Sequence, residues 1–124
     1  MISITGNLQY INALKHWSLR YTLYHNTSQF KRNLGLPKIQ RAAISVPSNI
    51  AEGMGCFPLK ERLHFIEIAY GSLMEIMCQL EIAELLHYIT TEELQSKENI
   101  IEEMAKMLIG LRKNFENKLT RGEN

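Results

Sequence analysis

The sequence predicts an all-α protein, an antiparallel up-down four-helix bundle that forms one domain over residues 1–124. Apolar residues recur at spacings of three and four in four successive segments, which is typical of the buried face of a helix. None of these segments shows the strict alternation that indicates a half-buried strand. The composition, 45% hydrophobic and 22% charged, is that of an ordinary globular protein and argues against disorder.

The first two predicted helices cover residues 7–31 and 37–53, and Gly35 and Pro37 separate them. The first has an apolar face made of Leu8, Ile11, Leu14, Trp17, Tyr21 and Tyr24. The second has an apolar stripe made of Ile39, Ala43, Val46 and Ile50. Pro47 lies inside the second helix, where proline removes a backbone donor. We predict a kink at Pro47 rather than a break, because the stripe continues on both sides.

The last two predicted helices cover residues 58–88 and 91–118. Pro58 is expected in the first turn of the third helix, where its missing N–H costs nothing. The apolar stripe of this helix is Leu63, Ile66, Ala69 or Tyr70, Leu73, Ile76 or Met77, Leu80 and Ala83. Thr90 and Glu93 form a capping-box pattern at the start of the fourth helix. Its stripe is Leu94, Ile101, Met104, Leu108, Leu111 and Phe115.

Charge is distributed unevenly along the chain, although the net charge is only +1. Residues 1–51 contain no acidic residue and six basic ones, namely Lys15, Arg20, Lys31, Arg32, Lys38 and Arg41. Residues 52–124 contain eight basic residues and thirteen glutamates. Such a split indicates either a nucleic-acid surface or basic helices packed beside acidic ones. The residues alone favour the second interpretation, because a nucleic-acid-binding domain is usually basic overall.

No pattern in the sequence predicts a catalytic centre, a metal site or a cofactor. Two Glu-x-x-His pairs, Glu61/His64 and Glu84/His87, resemble half of a di-iron site. They stand 23 residues apart on one predicted helix, about 35 Å along its axis, so they cannot share a metal pair within one subunit. No nucleophile motif or phosphate-binding loop is present. We therefore expect a protein that is not an enzyme.

The location that the sequence predicts is the cytoplasm. No apolar run approaches the roughly 18–20 residues that span a bilayer, and the N-terminus lacks the basic start of a signal peptide. The two cysteines, Cys56 and Cys78, are too few for a disulfide framework.

A polar stripe runs along the second predicted helix, where many neighbouring residues are small. It consists of Arg41, Ser45, Ser48 and Glu52, and Asn49 lies beside it. If Arg41 were buried it would need a carboxylate partner, for which Glu52 and Glu75 are the candidates. We expect this stripe to form a polar network that sets helix register or subunit contacts. A ligand-binding site is the alternative interpretation.

The segment Arg41–Gly53, read as RAAISVPSNIAEG, resembles the signature of a known bacterial family. These are the four-helix-bundle proteins encoded by intervening sequences in large-subunit ribosomal RNA genes. A second block, Ile68–Glu75 followed by Gln79 and Leu80, resembles the motif of the family's third helix. The resemblance covers roughly residues 8–118. Cys56 departs from it, since a basic residue is usual at that position.

This resemblance implies a bundle that assembles into rings, with pentamers expected, and that has no established enzymatic activity. Similar bundles act as accessory proteins of retroelements, where a basic surface contacts nucleic acid. The resemblance therefore favours weak RNA or DNA association, with Lys15, Arg20, Lys31, Arg32 and Lys38 as the candidate surface. The alternative is a protein-interaction scaffold that binds no nucleic acid. Neither alternative requires a cofactor or a membrane.

Overall fold

The structure, a computed structural model, describes residues 36–122 of the chain. These residues form three helices: α1 (Leu36–Gly55), α2 (Leu59–Leu85) and α3 (Thr91–Thr120). They contain no strand, which confirms the all-α class for this part of the chain. The first predicted helix, residues 7–31, lies outside the described residues. The described residues therefore show three helices, and the four-helix bundle stays a prediction.

Helix α2 lies between α1 and α3 and packs against both. Its neighbours run antiparallel to it, since short connections of residues 56–58 and 86–90 join the three helices. The predicted apolar stripes of α1, α2 and α3 form one core, in which Val46, Ile50, Leu73, Leu80 and Phe115 are fully buried. The helical spacing of apolar residues therefore identified the buried faces correctly.

Helix α1 is continuous through Pro47, whose side chain is buried. Proline cannot donate to the carbonyl of Ala43, yet the helix runs without interruption from Leu36 to Gly55. The buried stripe from Ile39 to Ile50 spans the proline and keeps both halves of the helix on the core. A break is therefore absent, as expected.

Five of the six helix boundaries differ from the sequence prediction by one to three residues, and two of these differences have a clear local cause. Pro58 is the N-cap of α2, with φ −65° and ψ 132°, and does not lie in its first turn. The C-terminal end of α2 is Leu85, three residues earlier than predicted. His87 there adopts φ 61°, its N–H donates to the Glu84 carbonyl, and the Tyr88 N–H donates to the Ala83 carbonyl. This is a Schellman ending, which usually uses glycine at the left-handed position and so is not visible in the sequence.

The start of α3 agrees with the prediction. The Thr90 hydroxyl accepts a hydrogen bond from the Glu93 N–H at 3.1 Å, which caps the helix. Ile89, directly before the cap, is 5% exposed and anchors the connection to the core. The cap therefore fixes where the chain turns back along α2.

Candidate functional site

The interface of α1 with α2 contains a hydrogen-bonded polar group among small side chains. The hydroxyl oxygens of Ser45 and Ser72 lie 2.9 Å apart. The Asn49 side-chain nitrogen donates to the Ser45 carbonyl at 2.8 Å and lies 2.9 Å from the Ser45 hydroxyl oxygen. All three side chains are half-buried. Each of these polar groups has a partner, so their partial burial costs little.

A shallow groove of about 380 Å³ follows this interface on its outer side. Arg41 lies on its α1 wall, and Glu75 and Gln79 lie on its α2 wall. Arg41 and Glu75 are both exposed, and within residues 36–122 no ion pair joins them. The groove thus presents opposite charges, a hydroxyl pair and an amide to the outside of the bundle. Such a surface suits contact with polar groups of a partner.

Arg41 is exposed in the single chain, so the condition under which it would need a buried carboxylate partner is not met there, and the full polar network stays a prediction. Glu52 lies three turns away on the same helix, about 16 Å along the axis, and is also exposed. Ser48 is exposed too. Of the six residues of the predicted network, the structure joins Ser45 and Asn49. It adds Ser72, which the sequence analysis missed because only the tertiary structure pairs the two serines.

At Gly53, α1 lies close to α2. A Cβ atom at this position would lie 3.2 Å from the Cβ of Phe65 and 3.4 Å from the carbonyl oxygen of Arg62. The glycine is buried, so a side chain there has no free space. Small residues at this end of the signature therefore let the two backbones approach.

Arg62 connects all three helices near the same point. Its Nε donates to the carbonyl of Cys56, at the end of α1. Its guanidinium carbon lies 5.7 Å from the centroid of the Phe115 ring, in a cation–π contact with α3. No sequence motif indicated this role, because the contact depends on the antiparallel register of α2 and α3.

Cys56 is not an activated thiol. Its Sγ donates to the Glu52 carbonyl at 3.2 Å. Desolvation, followed by the nearby Glu61 carboxylate, raises the pKa of the Cys56 thiol. A raised pKa leaves less thiolate at neutral pH, and the thiolate is the nucleophilic form. The local environment therefore disfavours nucleophilic chemistry at this cysteine.

The predicted nucleic-acid residues lie largely beyond the described part of the chain. Lys15, Arg20, Lys31 and Arg32 all precede residue 36. Lys38 belongs to the first turn of α1 by its backbone. Within residues 36–122, no group of three or more histidine, cysteine or acidic side chains is arranged to hold a metal ion. In the same part of the chain, no helix is long and apolar enough to cross a membrane.

Comparison with known proteins adds one finding. The family model described as 23S rRNA-intervening sequence protein matches residues 8–110, which include the polar interface and most of α3. Comparisons with curated proteins and with solved structures give no match.

Proposed function

The chain belongs to the 23S rRNA-intervening sequence protein family, and on that premise we propose a non-enzymatic homo-oligomer that associates weakly with RNA or DNA. The observation that carries this proposal is the position of the positive charge. Residues 36–122 contain ten basic residues and twelve glutamates, so the excess of positive charge belongs to the segment before Leu36. That segment contains four basic residues and no acidic one.

The proposed contact is electrostatic and reads no base sequence. Its candidate residues are Lys15, Arg20, Lys31, Arg32 and Lys38. Five subunits would bring together about twenty-five positive charges, enough to attract a phosphate backbone without a base-reading motif. Binding of this kind depends steeply on salt, because it releases counterions from the nucleic acid.

We propose that the first predicted helix, residues 7–31, completes a single four-helix domain and that five domains form a ring. A ring uses heterologous contacts, in which a patch on one subunit meets a different patch on the next. The basic N-terminal part and the glutamate-rich remainder of the chain supply such a complementary pair. Free thiols at Cys56 and Cys78 are compatible with the proposed cytoplasmic location.

The decisive experiment is an RNA titration followed by fluorescence anisotropy at 50 and 200 mM salt. About four phosphate contacts predict roughly a hundredfold loss of affinity between the two salt concentrations. Lys31→Glu with Arg32→Glu is expected to weaken binding further. Lys106→Glu with Lys113→Glu is the matched control, since it changes the net charge equally but on α3. An equal effect of both pairs would contradict a localised nucleic-acid surface.

The mass of the particle is a separate test. Light scattering at micromolar concentration should give about five times the subunit mass of 14.4 kDa. A single-subunit mass at physiological salt would contradict the oligomer.

A protein-interaction scaffold is the second candidate function. It is favoured by apolar side chains that the described helices leave in solvent, above all Phe57 and Leu85, which are 87% and 72% exposed. Such groups fit protein contacts better than phosphate contacts. No detectable RNA binding at 50 mM salt would leave the scaffold as the proposed function.

A further inference from the structure

The two ends of the described bundle differ in charge. One end, here the acidic end, consists of residues 36–41 at the start of α1 and residues 81–103 around the connection of α2 to α3. It contains seven glutamates and three basic residues. The other end, here the basic end, consists of residues 52–64 and 109–121, which the Arg62 contacts with Cys56 and Phe115 hold together. It contains six basic residues and three glutamates.

The acidic end also carries a patch of large aliphatic side chains in solvent. Ile82, Leu85 and Leu86 are 43%, 72% and 53% exposed. They are spaced three and four residues apart and therefore lie side by side on the helix surface. The Schellman ending at His87 returns Tyr88 and Ile89 toward the core, and Leu85 and Leu86 stay outside. Single exposed apolar residues are ordinary, but three adjacent ones at a chain reversal suit a contact.

The basic end carries one matching group. Phe57, in the connection between α1 and α2, is 87% exposed. Lys60, Lys113 and Arg121 belong to the same end and are exposed as well. A projecting ring among basic residues complements an aliphatic patch among glutamates in both shape and charge.

We propose that the basic end of one copy docks on the acidic end of another, with Phe57 seated against Leu85 and Leu86. Charge selects this head-to-tail arrangement, because two acidic ends placed together would bring like charges into contact. The contact goes beyond the proposed ring and does not depend on it, since it joins copies along the helix axes. Its apolar area is small compared with a standard interface of about 800 Å² per partner, so the association is weak and concentration-dependent.

The test is a complementation experiment by sedimentation velocity, with three variants. Leu85→Ser with Leu86→Ser removes the aliphatic patch, and Phe57→Ser removes the projecting ring. Ile68→Ser is the matched control, because Ile68 is 38% exposed and lies in the middle of α2, outside both ends. All of these side chains are exposed, and circular dichroism verifies that each variant stays folded.

The wild type and the Ile68→Ser variant should grow in mean mass with concentration. Salt at 500 mM should weaken this association about tenfold or more. Each end variant alone should keep the mass of the smallest unit. An equimolar mixture of the two end variants should recover a complex of two units, because each supplies the end that the other lacks.

Two results would overturn the proposal. If Phe57→Ser associates like the wild type while the leucine variant does not, the patch binds another copy of itself. If the wild type shows no growth in mass, or the mixture recovers nothing, the ends do not dock. Growth by end contacts can be distinguished from ring formation, because none of the three variants is expected to change the mass of the ring.

Discussion

Helix α2 packs against α1 through small side chains and against α3 through large apolar ones. Toward α1, small residues and the Ser45–Ser72 contact allow close approach, and Gly53 leaves no space for a Cβ atom. Toward α3, large apolar side chains fill the interface, including Leu108 and Phe115. Backbone proximity and hydrogen-bond geometry control the first interface, whereas side-chain volume controls the second. The same kind of substitution should therefore have different consequences on the two sides.

The largest effect is expected on the α3 side. Phe115→Ala removes a fully buried ring and leaves a cavity, so we expect a loss of about 3–5 kcal/mol in the free energy of unfolding. Urea denaturation at fixed protein concentration measures it. Ile109→Ala, on the exposed side of the same helix, should change stability by less than about 0.5 kcal/mol. A small effect at Phe115 would mean that volume does not control this interface.

On the α1 side, the largest effect is expected from adding atoms. Gly53→Ala places a methyl group 3.2 Å from the Phe65 Cβ. Overpacking of this kind costs about 1–3 kcal/mol, and the higher helix propensity of alanine offsets about 0.5–1 kcal/mol of it. Gly71→Ala is the matched control, since nothing lies within 4 Å of its added Cβ. There, higher helix propensity should stabilise the protein by about 0.5–1 kcal/mol. Equal effects in thermal or urea unfolding would show that α1 and α2 do not approach closely.

The serine contact should have a smaller effect. Ser45→Ala leaves the Ser72 hydroxyl and the Asn49 amide with fewer partners, and we expect a loss of about 1 kcal/mol. The double variant Ser45→Ala with Ser72→Ala should cost less than the sum of its single variants, because both polar groups then leave together. Ser48→Ala is the control on the exposed face of α1. Strict additivity would contradict a coupled serine pair.

Arg41→Ala should have the smallest effect, within about 0.5 kcal/mol, because the arginine is exposed in the groove. A buried ion pair would instead cost about 3–5 kcal/mol when one partner is removed. A loss of that size in urea unfolding, measured alongside Glu75→Ala, would mean that assembly buries the groove. The Arg41 measurement thus separates a surface residue from an interface residue.

Much of the described fold was predictable from local patterns. The periodicity of apolar residues identified α1, α2 and α3 and their buried faces, and Thr90 with Glu93 identified the start of α3. The end of α2 was misplaced, because His87 occupies a left-handed position that sequence patterns associate with glycine. Local rules fail where a residue adopts a conformation against its own preference and the surrounding structure maintains it.

The candidate site was predictable only in part. The sequence indicated a polar stripe containing Ser45 and Asn49, since small and polar residues recur there at helical spacing. It could not indicate Ser72 as the partner of Ser45, or Arg62 over Phe115, because both pairs are far apart in the sequence. Long-range pairs depend on helix register, which local spacing does not specify.

The sequence by itself determined the all-α class, the buried faces and the family, because helical periodicity and a contiguous signature are local properties of the chain. Only the tertiary structure decided that Arg41 remains exposed, that Gly53 meets Phe65, and that glutamates and basic residues collect at opposite ends. These features arise from the antiparallel packing of α2 against its neighbours. That packing brings together segments that lie far apart in the sequence. The charges and side-chain volumes that meet there therefore do not follow from local spacing.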